Sequence, residues 1–224
     1  MKFSRSRLAS STLATFIFGC CMHFAVSPAM AGTVASKNPV AAAVEPFDPF
    51  AKGRMEFELL GGALFSLDTN DSATRPDTAY GFGSARLGWM LNDPSGSGLF
   101  RGNWEFLVGG YGAGIFDGPG DVIAGGALGI RYNFVQPSAK VVPFIQIGGG
   151  GAYSDMADDD LVQRLVGEEW SWELEGSVGL RFMMSERCSL IIAAQYQHLS
   201  NAGRNERNRG LNALGGVIGV SWFY

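Results

Sequence analysis

The chain has 224 residues, 46% of them hydrophobic and 17% charged, and carries a formal net charge of −4. An N-terminal leader that holds Lys2, Arg5 and Arg7 and no acid makes the remainder more acidic still, which argues against a nucleic-acid partner because that needs a basic surface. Beyond the leader no apolar stretch reaches the about 20 residues that a transmembrane helix requires.

The leader combines its cations with an apolar run through Phe16, Ile17, Phe18 and Val26 and closes on the small-x-small site Ala29-Met30-Ala31. Residues 1–31 therefore read as a secretory signal peptide. Lipoprotein processing at Gly19-Cys20 is disfavoured by bulky Phe18 just before the glycine. Cys20, Cys21 and His23 leave with the leader, so Cys188 is unaccompanied, no intrachain disulfide is available, and His198 is the one remaining histidine. Residues 32–53, with Pro39, Pro46 and Pro49 among alanines and valines, are expected to form a flexible lead-in. Roughly 190 residues follow the leader, enough for one domain, and residues 54–224 are assigned to it.

Glycine is abundant, with 32 in the chain, aromatics are frequent, and apolar residues alternate with polar ones, which predicts strands. The first, near 54–66, sets Met55, Phe57, Leu59, Ala63 and Phe65 against Glu56 and Glu58. The second, near 79–91, sets Ala85, Leu87, Trp89 and Leu91 against Ser84 and Arg86. The third, near 99–113, alternates Phe100, Trp104, Phe106 and Val108 with Arg101, Asn103 and Glu105. The fourth, near 122–134, opposes Leu128, Ile130, Tyr132 and Phe134 to Arg131 and Asn133. The fifth, near 141–153, has Ile145 and Ile147 around Gln146; the sixth, near 171–184, has Trp172, Leu174, Val178, Leu180 and Phe182 opposite Glu173, Glu175 and Arg181. Strands at 189–200 and 211–224 complete the set. All are long enough for a tilted membrane-spanning strand.

The polar face carries both signs, Glu56, Glu58, Glu105, Glu173 and Glu175 with Arg86, Arg101, Arg131 and Arg181. Such groups can satisfy one another inside a narrow, side-chain-filled lumen. The expected fold is thus all-β, an eight-stranded antiparallel transmembrane β-barrel. The final Ile218, Val220, Trp222 and Tyr224 resemble the C-terminal signature of bacterial outer-membrane barrels. Links at 92–96, 136–139 and 185–187 are short, whereas those at 67–78 and 154–170 are longer. Short turns face the periplasm in such barrels, so the end of the seventh strand lies toward the cell exterior. Asp158-Asp159-Asp160 in the longer link reads as a solvated acidic loop; neither metal nor cofactor is expected.

Parity then selects a site. The even residues of the seventh strand, Leu190, Ile192, Ala194 and Tyr196, form its lipid face and lead to His198 and Ser200. On the eighth strand the even face Leu214, Ile218, Val220, Trp222 begins with Asn212, at the same height. Histidine can take a serine proton and return one to a leaving alcohol, serine becomes nucleophilic with that base beside it, and Asn212 can orient the imidazole through its amide oxygen. Backbone N–H groups at Asn201, Ala202 and Gly203 are candidates for an oxyanion hole. The bland alternative makes His198, Tyr196 and Trp222 interfacial aromatics of the membrane belt, but serine and asparagine gain little by facing lipid.

The run His198-x-Ser200-Asn201-Ala202-Gly203, followed by Asn208-x-Gly210-Leu211, resembles the outer-membrane lipid A 3-O-deacylases (PagL-like acyloxyacyl hydrolases), and Pro143-Phe144-Ile145 with Gly148 and Gly150 is similar to that family's middle-strand pattern. The resemblance implies His198 as base, Ser200 as nucleophile, lipid A in lipopolysaccharide as substrate at its 3-position ester, and the bacterial outer membrane as location. The family's triad ends in a glutamate where this chain has Asn212; Glu206, in the loop, is the weaker substitute. Outer-membrane phospholipases use Ser-His-Asn, so asparagine is compatible with activity. A phospholipase of the same outward-facing design and a non-enzymatic structural or adhesive barrel are the alternative functions.

Overall fold

The computed structural model describes residues 47–67, 77–158, 167–204 and 210–224. Eight strands, β1 (Met55–Ser66), β2 (Ala79–Met90), β3 (Asn103–Asp117), β4 (Val122–Asn133), β5 (Val141–Ser154), β6 (Trp170–Ser185), β7 (Cys188–Ser200) and β8 (Leu211–Phe223), follow one another in chain order. Each pairs antiparallel with its neighbour, and β1 closes on β8 over Glu56↔Phe223 to Ser66↔Ala213, so the barrel has no free edge. The expected all-β, eight-stranded antiparallel barrel is what forms. The leader at 1–31, the lead-in up to residue 46, and Asp159 and Asp160 of the acidic loop lie outside the described residues.

β3 departs from its expected limits. Residues Gly98–Phe100 form a short 3-10 turn instead of strand. Gly96 and Gly98 adopt φ of 92° and 57°, and a bridge between Ser95 and Gly102 closes the excursion. The left-handed backbone that glycine allows here interrupts an alternation that the sequence pattern carried straight through. Leu99 and Phe100 consequently project outward, and Arg101 leaves the polar interior to donate to the Val135 carbonyl. The link before β3 thus lengthens to residues 91–102, and β3 runs on to Asp117, leaving only 118–121 before β4. The two remaining links at the first end are 134–140 and 186–187, and those at the other end are 67–78, 155–169 and 201–210. The longest link, 155–169, lies at the end where β7 finishes, but the expected division into short and long links does not hold throughout, because 91–102 at the other end equals 67–78 in length and 118–121 is a tight connection.

Period-two alternation sorts the two faces as the sequence predicts: Glu56 and Glu58 are 0% exposed, whereas Leu59 is 43% exposed. The outward residues make an apolar band with aromatic rings at both margins. Phe57 stacks with Trp222, and Trp104 and Phe134 flank Tyr132 at one end. Phe65 meets Phe116, and Tyr153 meets Trp170, at the other. Two aromatic girdles around an apolar band are the outer surface of a barrel that sits in a bilayer.

The expected flexible lead-in reaches too far along the chain. Residues 47–53 pack across the end of the barrel where β1 starts and β8 finishes. Phe50 is buried, edge-on to Phe223, and its carbonyl accepts a hydrogen bond from Asn103 Nδ2 at 2.9 Å. The Phe47 ring lies between the guanidinium groups of Arg54 and Arg187, 4.2 Å and 3.9 Å from its centroid. Prolines made this stretch look like linker, but its two phenylalanines find an apolar layer of Met90, Val135, Val142 and Phe223 to cover.

The interior is filled in layers. Above that plug, Arg131 binds Glu58 and reaches Glu105 at 3.3 Å and Gln146 at 2.7 Å, while Arg181 pairs with Glu56 and lies 3.3 Å from Glu58. Arg86 pairs with Glu175 at 2.8 Å. That pair fits because two facing positions lack side chains: a Cβ on Gly109 would sit 2.5 Å from Arg86 Cγ, and one on Gly148 would sit 3.1 Å from Glu175 Cγ. Toward the far end the lining becomes apolar again, with Leu64, Ile123, Met156, Leu199 and Leu211. The polar, side-chain-filled interior expected from the alternation forms the centre of the barrel, and apolar layers lie on either side of it. Among the described residues, side chains from all three layers fill the interior.

The ion-pair layer gives a stability prediction. Arg131→Met strands buried carboxylates and is expected to destabilise the barrel by about 3–5 kcal/mol, read as a lower urea midpoint for loss of heat-modifiable gel mobility. Removing Glu58 as well (Arg131→Met with Glu58→Leu) is expected to recover part of that loss.

Candidate active site

His198 and Ser200 occupy the last turn-ward stretch of β7 and point outward, between buried Gln197, Leu199 and Asn201. The inner neighbours hold this strand firmly. Gln197 accepts from the Tyr80 hydroxyl at 2.5 Å and donates to Glu173 at 2.5 Å, and Leu199 sits in the apolar upper layer. Register places His198 opposite Leu174 of β6 on one side and Asn212 of β8 on the other, with Ser200 opposite Trp172. The pairing expected from parity is realised: His198 Nδ1 lies 2.7 Å from Asn212 Oδ1. An oxygen at that distance accepts the Nδ1 proton, and in the neutral ring the lone pair is then on Nε2.

The same Asn212 Oδ1 accepts a second hydrogen bond, from the Tyr196 hydroxyl at 2.7 Å. Tyr196 is thus more than a belt aromatic. Sequence parity put it on the right face, but only the register, which sets Tyr196 opposite Leu214 and so diagonal to Asn212, shows that its hydroxyl reaches the amide.

Gly210, just before β8, covers the pair. Its φ is 65°, and a Cβ there would lie 3.0 Å from the Leu199 carbonyl oxygen, 3.1 Å from His198 Cε1 and 3.6 Å from Ser200 Cβ. The imidazole and the serine side chain therefore border one small space, kept open by the missing side chain. After Ser200 the chain makes a tight turn. Ala202 and Gly203 both have positive φ, 53° and 79°, and Arg204 N–H donates to the Asn201 carbonyl at 3.2 Å, the geometry of a type I′ turn. Gly203 N–H is used inside that turn, donating to Asn201 Oδ1 at 3.0 Å. Gly203 N–H is thus taken up within the turn, in contrast to the expectation for it as an oxyanion donor. Arg204 ties the turn to the neighbouring loop through the Trp170 carbonyl at 2.8 Å and Glu168 at 3.3 Å. Glu206 and Asn208 lie outside the described residues.

Among the described residues, carboxylates that converge closely enough to hold a cation are those of Glu56, Glu58 and Glu105. Arg131 and Arg181 stand among them and supply the positive charge, so this cluster belongs to the ion-pair layer of the interior.

Residues 78–221 match the family model described as lipid A 3-O-deacylase (PagL). The chain belongs to the lipid A 3-O-deacylase (PagL) family. PagL-family membership and the girdled outer surface make it an outer-membrane protein. Solved barrels share the fold: the N-terminal β-barrel domain of Pseudomonas aeruginosa OprF superposes with a TM-score of 0.50 at 12% identity, covering 77% of this chain and 98% of that one. Neisserial surface protein A (NspA) gives 0.50 at 12% identity, covering 77% and 98%. The outer membrane enzyme PagL itself gives 0.49 at 18% identity, covering 73% and 97%. A comparison with curated proteins gives no match.

For this PagL-family barrel, Gly210→Ala is expected to displace the His198 ring, seen as a shift of its imidazole resonances in the folded protein. It should also destabilise the barrel by about 1–2 kcal/mol, the typical penalty for a left-handed non-glycine residue.

Proposed function

We propose that this chain removes the ester-linked 3-hydroxyacyl chain at position 3 of lipid A through a serine acyl-enzyme. The observation that carries the reading is the 2.7 Å contact between His198 Nδ1 and Asn212 Oδ1 on the lipid-facing surface, with Ser200 on the same face two residues along the strand. In this mechanism His198 Nε2 takes the Ser200 hydroxyl proton, and Oγ attacks the ester carbonyl carbon. The tetrahedral oxyanion is met by backbone N–H at the turn, with Ala202 the favoured donor. Collapse breaks the bond to the sugar oxygen, which leaves as an alcohol with the proton from His198. Water, deprotonated by His198, then cleaves the acyl-serine and releases the 3-hydroxy fatty acid. Asn212 fixes the tautomer but brings no negative charge to the imidazolium, so turnover is slower than with a carboxylate there.

The outward site suits a substrate that never leaves the membrane. An acyl chain lying along the barrel meets Leu174, Val178 and Leu214, all exposed on the band below the site, while Trp170 and Trp172 stand at the level of Ser200. The ester of a lipid sits at that same interfacial depth.

Mass spectrometry of lipid A from cells that express the chain tests this. Loss of one 3-hydroxyacyl group is expected, with Ser200→Ala abolishing it and Asn212→Ala slowing it by about 10²-fold. Unchanged lipid A with release of lysophospholipid would assign the site to phospholipid instead. No change in either lipid, from a barrel that retains heat-modifiable mobility, would overturn the esterase reading.

A further inference from the structure

We infer that Tyr196 is a positioning residue that acts through Asn212, holding the amide oxygen and not the amide nitrogen toward His198. The kinetic consequence rests on the esterase reading above; the effect on the imidazole does not. An asparagine presents one accepting oxygen and one donating nitrogen of nearly equal size. With the oxygen toward His198, the ring keeps its proton on Nδ1, and Nε2 can accept the serine proton. With the amide turned over, the nitrogen donates to Nδ1, the ring proton moves to Nε2, and the serine has no base. A carboxylate at this position has two acceptors and no such ambiguity. Asparagine therefore needs a second contact to choose its orientation, and Tyr196 supplies one.

Both Tyr196 Oη and His198 Nδ1 lie 2.7 Å from the same Asn212 Oδ1. Two donors are satisfied at once by the two lone pairs of an oxygen. If the amide turned over, the tyrosine proton would lose this acceptor on a surface that faces hydrocarbon, where an unmet donor is costly. The arrangement follows from the barrel's own geometry. Tyr196 opposes Leu214 and His198 opposes Asn212, so the tyrosine reaches diagonally across the β7–β8 pair to the amide beside the histidine.

The test uses the folded full-length barrel in detergent, labelled with ¹⁵N-histidine; loss of a signal in His198→Gln assigns the resonances. For the neutral ring, the wild type is expected to show the Nδ1-protonated tautomer. Tyr196→Phe should add the Nε2-protonated form and lower kcat about fivefold, the worth of one ordinary hydrogen bond, with KM unchanged. In an Asn212→Asp background, where the partner cannot turn over into a donor, Tyr196→Phe is expected to leave both tautomer and kcat within twofold. Tyr196→Leu, which also removes the ring, should reproduce the tautomer change and guards against a folding defect peculiar to one variant. An unchanged tautomer in Tyr196→Phe would overturn the inference. So would an equal kcat loss in both backgrounds, since that is what a merely structural tyrosine produces. A barrel that shows the tautomer change yet leaves lipid A intact would support the positioning role while overturning the proposed substrate.

Discussion

The pairing of β1 with β8 is the constraint from which the remaining structure follows. In a bilayer a strand edge has no water to satisfy its N–H and C=O groups, so a sheet spans the membrane only by closing on itself. Closure from Glu56↔Phe223 to Ser66↔Ala213 removes the edge and at the same time divides every strand into an inner and an outer face. With period two, no residue can serve both. The interior is then filled, by a phenylalanine plug, an ion-pair layer and an apolar upper layer. Chemistry on a membrane-embedded substrate is left to the outer face.

The two faces of β7 show how a packed interior serves an exterior site. Gln197 and Leu199 alternate with His198 and Ser200, and the former are locked by Tyr80, Glu173 and the apolar layer. A rigid strand holds the outward side chains in register with Asn212, so their geometry does not depend on a loop. The flanking segments add what the strand cannot supply. Gly210 leaves space over the imidazole and serine, and the Asn201–Arg204 turn bends the chain away immediately after Ser200.

Much of this was legible from alternation alone, because period two is a local property of the chain. The eight strands, the buried Glu56, Glu58, Arg131 and Arg181, the outward His198 and Ser200, and Asn212 alongside them all follow from which residues share a face. Misreadings arose where local backbone chemistry overrode the pattern. Gly96 and Gly98 turned expected strand into a 3-10 excursion and moved Arg101 out of the interior. Around Phe47 and Phe50 the prolines concealed two aromatic anchors. At Gly203, the candidate oxyanion donor turns its N–H inward to an asparagine side chain two residues back.

What the sequence determined by itself was the sidedness of each residue and, through the His198-x-Ser200-Asn201-Ala202-Gly203 run, the family to compare with. What only the tertiary structure decided was contact across strands. That Tyr196 and His198 converge on one oxygen of Asn212, that Gly210 lies over His198 and Ser200, and that Gly109 and Gly148 make room for Arg86 and Glu175 all depend on register between segments. Register is set by closure and packing of the whole barrel. No window of the chain contains that information, because the partners that fix it lie on other strands.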